Sequence, residues 1–344
     1  MITEATNAAG TKGFTPRFLL SEWTYVVDAW GIGSLEEYAA VPRLGRRRPL
    51  GPRQRERLWE VFEAVSARLR DQGLFTRAGV YRELGAHYAS RATKPFSNIV
   101  VDEAQDLGPA ELAFLAVICA DGANALFFAG DIGQRIFQQP FSWRMLGIEV
   151  RGRSTTLKVC YRTSRQIKGM ADQLLPGALR DPDGIEEERS GTISLFDGPC
   201  PEMVISRNAK EEVDRVAAFL QNVISEKVLP GEIGLFVRSP EASARAREAA
   251  EMAGLADGIT ISLMHLAKGL EFRVVVVMAC DQELLPLASR IAEAADEGEL
   301  DDIYETERQL LYVACTRARD RLLVSSVAPG SEFLKDLWGN SGIR

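Results

Sequence analysis

The chain has only two histidines, His87 and His265, and five scattered cysteines, Cys119, Cys160, Cys200, Cys280 and Cys315, with no C-x-x-C pair. Ligands so sparse exclude a zinc finger or ribbon, and the same spacing excludes a disulfide framework. No apolar run approaches the roughly 20 residues that cross a bilayer, and Met1 opens no signal-peptide pattern. A membrane or secreted protein is therefore not expected; a reducing cytoplasm is the expected compartment. Basic excess is missing too, since 41 Lys and Arg against 48 Asp and Glu leave a net charge of −7. That argues against a protein coated in nucleic acid, yet a local basic groove can hide inside a negative total. Finally, none of the 29 glycines is followed by lysine, so the chain lacks a G-x-x-x-x-G-K-[ST] loop to cradle phosphates. Gly10-Thr11-Lys12-Gly13 is no substitute, because its order is wrong and no apolar strand precedes it.

What is present is ordinary for a folded protein: 344 residues, 46% hydrophobic and 26% charged, enough for two domains with real cores. Residues 1–16 are small and polar without periodicity, and from Phe18 to about Ala89 the pattern is helical. Within Arg53–Gln72, Leu58, Val61, Phe62, Val65 and Leu69 recur at helical spacing. The preceding loop carries Arg43, Arg46, Arg47, Arg48, Arg53 and Arg55, which reads either as a solvated loop or as one that contacts phosphates. After Pro95 the grammar changes. Ile99-Val100-Val101 runs into Asp102-Glu103, and Ala125 to Ala129 runs into Gly130-Asp131, with a helical stretch at about Pro109 to Ala120 between them. Short continuous apolar strands alternating with helices predict a parallel α/β sheet covered on both faces. A second α/β set follows, with strands at Ile193–Phe196, Met203–Ile205, Ile233–Val237, Val274–Met278 and Leu322–Ser326, and helices at Glu211–Val223 and Ala242–Ala253. The domain boundary is expected near residue 150, at the polar Arg151-Gly152-Arg153-Ser154.

Acidic residues directly at strand ends fit the rule that open α/β sheets bind ligands beyond their carboxyl ends. Asp102-Glu103 could hold Mg²⁺ and activate a water, as phosphoryl-transfer sites require, although a helix N-terminal turn would look the same. Gly130-Asp131-Ile132-Gly133-Gln134 can bring Gln134 towards a phosphate. Taken singly, Arg162 and Arg317 read as surface ion pairs, Tyr161 as a half-buried aromatic and His265 as a structural histidine.

Their order is more specific. D-E-A-Q-D at 102–106, G-D-I-G-Q at 130–134, L-K-V-C-Y-R at 157–162, H-L-A-K-G-L-E at 265–271 and L-Y-V-A-C-T-R-A at 311–318 together closely resemble the UvrD/Rep-type superfamily 1 DNA helicases from about Asn98 to Leu334. The resemblance implies a RecA-like P-loop NTPase architecture with one incomplete and one complete parallel-sheet domain: a helical 1B-like subdomain over 1–95, a partial first RecA-like domain (1A) over 96–150, and a second (2A) over 151–344. It also implies ATP and Mg²⁺ as cofactors, single-stranded DNA as partner, and 3′-to-5′ translocation. Asp102 would then coordinate Mg²⁺, Glu103 activate water and Gln134 sense the γ-phosphate. Tyr161 would stack on adenine, Glu271 contact the ribose, and Arg162 and Arg317 act as arginine fingers, for which a planar guanidinium suits phosphate oxygens. His265 and Lys268 would couple the nucleotide to the DNA track. Phe137, Phe141 and Trp143 lie where such helicases present an aromatic to a base, Trp143 being the first choice; an ordinary aromatic core cluster is the competing reading.

The departures carry their own expectations. Cys160 stands where asparagine is usual, and Leu263 where threonine is common. The roughly one hundred residues between Arg162 and His265 leave the 2B insertion absent or vestigial. With no P-loop, the chain reads as a helicase that begins inside its first RecA-like domain. Either a separate polypeptide supplies the missing half, or the chain is a non-catalytic DNA-binding or protein-interaction module. The first alternative predicts that Leu126-Phe127-Phe128 is an edge strand awaiting a partner.

Overall fold

Leu58, Val61, Phe62 and Val65 are buried along one stripe of a 20-residue helix, as their spacing predicts; Leu69 of the same stripe is half-buried, and Trp59 is buried beside them. This is α3 (Pro52–Asp71), opened by Gly51 and Pro52, with the Gln54 side chain accepting the Gly51 N–H at 2.9 Å. The structure is a computed structural model and describes residues 14–43, 49–136, 138, 141–150, 152–180, 183–184, 186–188, 191–294 and 297–338. Before α3 come α1 (Pro16–Glu22), a π-helical turn at Trp23–Asp28, and α2 (Leu35–Ala40). Their apolar faces join α3 in one cluster that includes Phe18, Trp23, Val27, Tyr38 and Phe62.

Two arginines of the segment expected as a basic loop serve this cluster rather than a phosphate, and Arg53 and Arg55 lie inside α3, not in a loop. Arg43 reaches the fully buried Glu22 carboxylate through Nε (2.7 Å) and Nη2 (2.8 Å), and Tyr38 donates to the same group at 2.9 Å. Arg55 Nη1 donates to the carbonyls of Tyr38 (2.5 Å) and Ala39 (2.8 Å) at the end of α2. A buried carboxylate persists only when paired, and these bonds satisfy it. Arg46, Arg47 and Arg48 lie outside the described residues.

α4 (Arg77–Ala89) packs on α5 (Pro109–Ile118) through Tyr81 and Tyr88 against Phe114. Between and after them run β1 (Ile99–Val101) and β2 (Leu126–Phe128), paired in parallel with Val100 opposite Phe127. Among the described residues this sheet has no third strand. Its neighbouring residues Val100 and Phe127 are 74% and 61% exposed, although parallel sheets are normally covered on both faces.

The chain divides into two compact units. The first is Met1–Ser154 with Arg180–Glu186 and Glu293–Leu300, so the helices and the β1–β2 sheet form one body. The second comprises Thr155–Leu179, Glu187–Ala292 and Asp301–Arg344. The first stretch of the first unit ends at Ser154, and two later segments return to that unit; no local composition signal marks them.

The second unit contains β3 (Val159–Cys160), α6 (Arg165–Ala171), β6 (Ile193–Ser194), β7 (Glu202–Ser206), α7 (Ala209–Ser225), β8 (Ile233–Val237), α8 (Ser243–Met252), β9 (Thr260–Leu263) and β10 (Phe272–Val277). It continues through α9 (Ala288–Ala292), α10 (Glu297–Cys315, which belongs to this unit from Asp301 onwards), β11 (Ala318–Val327) and α11 (Phe333–Trp338). A short β4 (Ala178–Arg180) and β5 (Glu186–Glu188) pair where the chain passes between units, and β3 pairs with β6. The main sheet is five parallel strands in the order β7-β11-β10-β8-β9. Ile233, Leu235, Val274 and Val276 pack with α7 and α8. The alternate residues Phe236, Val275, Val277 and Val324 are equally buried and face the other way. Burial on both faces is why these strands read as unbroken apolar runs. Only residues 253–259 separate α8 from β9, and the hundred residues after Arg162 are taken up by these elements.

Candidate functional site

In the first unit, Asp102 and Glu103 follow directly on β1, and Gly130 to Gln134 follow β2 at the adjacent strand end. Glu103 adopts a left-handed backbone, φ 52°, a conformation that costs a non-glycine residue energy and is retained where the surroundings over-determine it. The turn is held by Ala104 N–H to Ala129 O (2.9 Å) and by Glu103 N–H to Asp102 Oδ1 (2.9 Å). Two further residues organise the cluster. Gln105, almost fully buried, donates to Glu103 Oε2 at 2.5 Å and accepts the Asp131 N–H at 3.1 Å. Asp131 in turn accepts Gly133 N–H (2.8 Å) and Gln134 Nε2–H (2.7 Å). Both lie within the 102–106 and 130–134 motifs, where nothing in the local pattern marks their linking role. Among the described residues no group of three His, Cys, Asp or Glu forms a metal cage. The exposed Asp102 carboxylate is one hard oxygen donor, which suits Mg²⁺ because that ion keeps waters and takes its remaining ligands from phosphates.

In the second unit, three motifs distant in sequence converge. Arg162 Nε pairs with Glu271 Oε1 at 2.5 Å. Arg317 Nη1 donates to Leu270 O at 3.4 Å, and Thr163 Oγ1 donates to Thr316 O at 3.3 Å. Tyr161, next to Arg162 in the chain, is 72% exposed. Arg162 and Glu271 are also accessible to solvent. Arg317 departs from the expected outward-reaching finger: it is 1% exposed, and its Nε donates to Val313 O at 3.1 Å. A cation at the end of a helix satisfies carbonyls that lack intrahelical donors, and Arg317 does so for α10. Glu271 and Arg317 lie at the amino ends of β10 and β11, a placement the strand-end rule does not anticipate. Cys315, in the same motif, is fully buried, and burial pushes its thiol up to about 12, so it packs rather than reacts.

The carboxyl ends of β8 and β9 hold a separate group. Glu307 is fully buried and accepts Arg238 Nε and Nη2, both at 2.6 Å, and Arg290 Nη1 at 2.6 Å. Arg238 ends an apolar run and could have been found by the strand-end rule; mid-helical Glu307 carries no such signal. His265 lies nearby: partial burial, then the positive charge of Arg238, hold its imidazole below the ordinary value. An imidazole depressed on folding contributes stability that is full above its unfolded value, about pH 6.5, and is lost as the pH falls towards the folded value. Urea midpoints measured on either side of that value should therefore drop more for the wild type than for His265→Gln. Lys268 is half-buried three residues on.

The aromatic candidates are packed. Trp143 meets Phe128 edge-on with centroids 4.8 Å apart, and Phe141 meets Trp30 at 6.1 Å. Both remain half-buried rather than fully enclosed. Asp183 fastens this segment by accepting from Ser142 Oγ and from Trp143 N (2.7 Å). Phe137 lies outside the described residues.

Residues 69–148 match the UvrD/REP helicase N-terminal domain, and residues 241–328 match the UvrD-like helicase C-terminal domain. DNA helicase IV of Escherichia coli K12 is 25% identical over 286 residues, 77% of this chain and 39% of that protein. The ATP-dependent DNA helicase PcrA of Staphylococcus epidermidis is 37% identical over 70 residues, 20% of this chain and 9% of that protein. The Staphylococcus aureus PcrA is 38% identical over 69 residues, with the same coverage. The chain thus spans well under half the length of these relatives. Among solved structures, the C-terminal domain of a possible DNA helicase from Lactobacillus plantarum is 25% identical, with a TM-score of 0.37, covering 52% of this chain and 93% of that one. No helix of the described residues is long and apolar enough to cross a membrane.

Proposed function

Because the chain belongs to the UvrD/Rep-type helicase family, we propose that it supplies the nucleotide-sensing and DNA-coupling portion of an ATP-driven, 3′-to-5′ single-stranded DNA translocase. One observation carries this reading: Arg162, Glu271 and Arg317, spread over more than 150 residues of chain, are brought together by the 2.5 Å Arg162–Glu271 pair and the Arg317–Leu270 and Thr163–Thr316 bonds, and Tyr161, next to Arg162, is exposed. In the proposed cycle the Tyr161 ring stacks on the adenine and Glu271 holds the ribose. Asp102 holds Mg²⁺, which when bound neutralises phosphate charge. Glu103 takes the proton of the attacking water, and Gln134 reports the phosphate. Arg162 neutralises charge on the transferring group; Arg317 does the same after releasing the carbonyls it now serves. His265 and Lys268 relay the outcome to a strand stacked at Trp143, with Phe141 and Phe137 as secondary positions. The first unit corresponds to the 1B and 1A parts and the second to 2A.

A phosphate-cradling loop is required for fast phosphoryl transfer, since its amides and lysine stabilise the transferring group. This chain has none. The exposed Val100–Phe127 face and, among the described residues, the lack of a third strand beside β1 and β2 support completion of that sheet by a P-loop-bearing polypeptide segment. The competing reading is a DNA-binding or protein-interaction module that does not turn over ATP.

Turnover by the purified chain, with and without single-stranded DNA and beside a Glu103→Gln control, separates them. Stimulated turnover that drops by about 10²–10⁴-fold in the control is the expected result for the motor. Absent turnover, with DNA binding that weakens with salt and on Trp143→Ala, favours the module.

A further inference from the structure

The Gln105 side chain bonds both strand-end loops of the first unit, and we propose that it is a positioning residue that makes Glu103 respond to the state of Gln134. The inference rests on the hydrolytic reading of Glu103 and Gln134 given above. Its physical basis is a continuous run of hydrogen bonds. Gln134 Nε2–H donates to Asp131 Oδ2 at 2.7 Å, Asp131 N–H donates to Gln105 Oε1 at 3.1 Å, and Gln105 Nε2–H donates to Glu103 Oε2 at 2.5 Å.

An amide is the group this position needs, because it accepts on one side and donates on the other from a single rigid plane. The neighbouring backbone is shaped around it. A Cβ on Gly130 would lie 2.4 Å from Gln105 Oε1 and 3.3 Å from Ala104 N, so glycine there makes room for the amide. Gln105 is only 6% exposed, and a buried amide that loses a partner pays the desolvation of the group left behind. Glu103 is held in its left-handed conformation at the other end of the run. When Gln134 swings from Asp131 to a phosphate oxygen, the Asp131 turn is released, and Gln105 carries that change to the carboxylate that takes the proton from water. The device ties proton abstraction to occupancy of the phosphate position.

Three variants of the full chain dissect the run. Gln105→Met removes both bonds at nearly constant length. Gln105→Glu keeps the acceptor for the Asp131 N–H but replaces the donor with a like charge facing Glu103. Gly130→Ala pushes the amide away from outside. Amide hydrogen exchange at Asp131 is expected to accelerate about tenfold, the worth of one ordinary hydrogen bond, in Gln105→Met and Gly130→Ala and to stay slow in Gln105→Glu. The Gln134 side-chain amide resonance should move in Gln105→Met and Gly130→Ala only. Turnover should fall on the order of 10²-fold in all three, with the KM for ATP unchanged. Unaltered Asp131 exchange in Gln105→Met would overturn the run itself. Wild-type turnover in Gln105→Glu would overturn its coupling to Glu103. If the wild-type chain turns over no ATP, the hydrolytic reading fails while the exchange and resonance measurements still decide whether Gln105 joins the two loops.

Discussion

Arg162→Lys is expected to lower DNA-stimulated ATP turnover by about 10³–10⁵-fold, the range an arginine finger contributes, while leaving the unfolding midpoint nearly unchanged. The two halves of this expectation have separate physical origins. Lysine keeps the charge but loses the planar fork that meets two phosphate oxygens at once. Stability is spared because the Arg162–Glu271 pair is exposed on both sides, 44% and 57%, and exposed pairs contribute roughly 0–1 kcal/mol. Steady-state turnover and a urea titration on the same preparation check both. A turnover loss below tenfold would remove Arg162 from the finger role. Arg317 is unsuited to the same test, since its buried donors serve Val313 O and Leu270 O, so its loss mixes catalysis with folding.

Glu307→Ala is expected to destabilise the second unit by about 3–5 kcal/mol, the cost of breaking a buried ion pair from one side. Glu307 is fully buried and holds two guanidiniums: Arg238, at 11% side-chain exposure, and Arg290, at 24%. Removing the carboxylate leaves two like charges facing each other without a counter-charge. Replacing Arg290 alone by Met is expected to cost much less, because the bidentate Arg238–Glu307 pair survives. Equilibrium urea unfolding of the two variants gives the comparison; equal losses would show that the cluster does not act as a charge-neutralising unit.

The parts of the fold that could be read along the chain are those in which local pattern and final environment coincide. The α3 stripe and the strands β8 and β10 are continuous signals because one face, or both, is buried along their whole length. β9 was not legible: it is a four-residue edge strand with every residue half-buried, so neither alternation nor an apolar run marks it. The return of Arg180–Glu186 and Glu293–Leu300 to the first unit is likewise a matter of long-range packing.

At the candidate site the division is the same. Sequence alone determined the chemistry on offer: two carboxylates and a glutamine turn at strand ends, two arginines in ordered motifs, and no lysine after any glycine. Motif order carries that information because phosphoryl transfer demands particular side chains. Tertiary structure alone decided which of these groups meet and which are already engaged. It paired Arg162 with Glu271, buried Arg317 against the end of α10, set Arg238 and Arg290 on Glu307, and threaded Gln105 between Glu103 and Asp131. Each of these joins residues through space, and the desolvation that makes such partners obligatory exists only once the chain has closed around them.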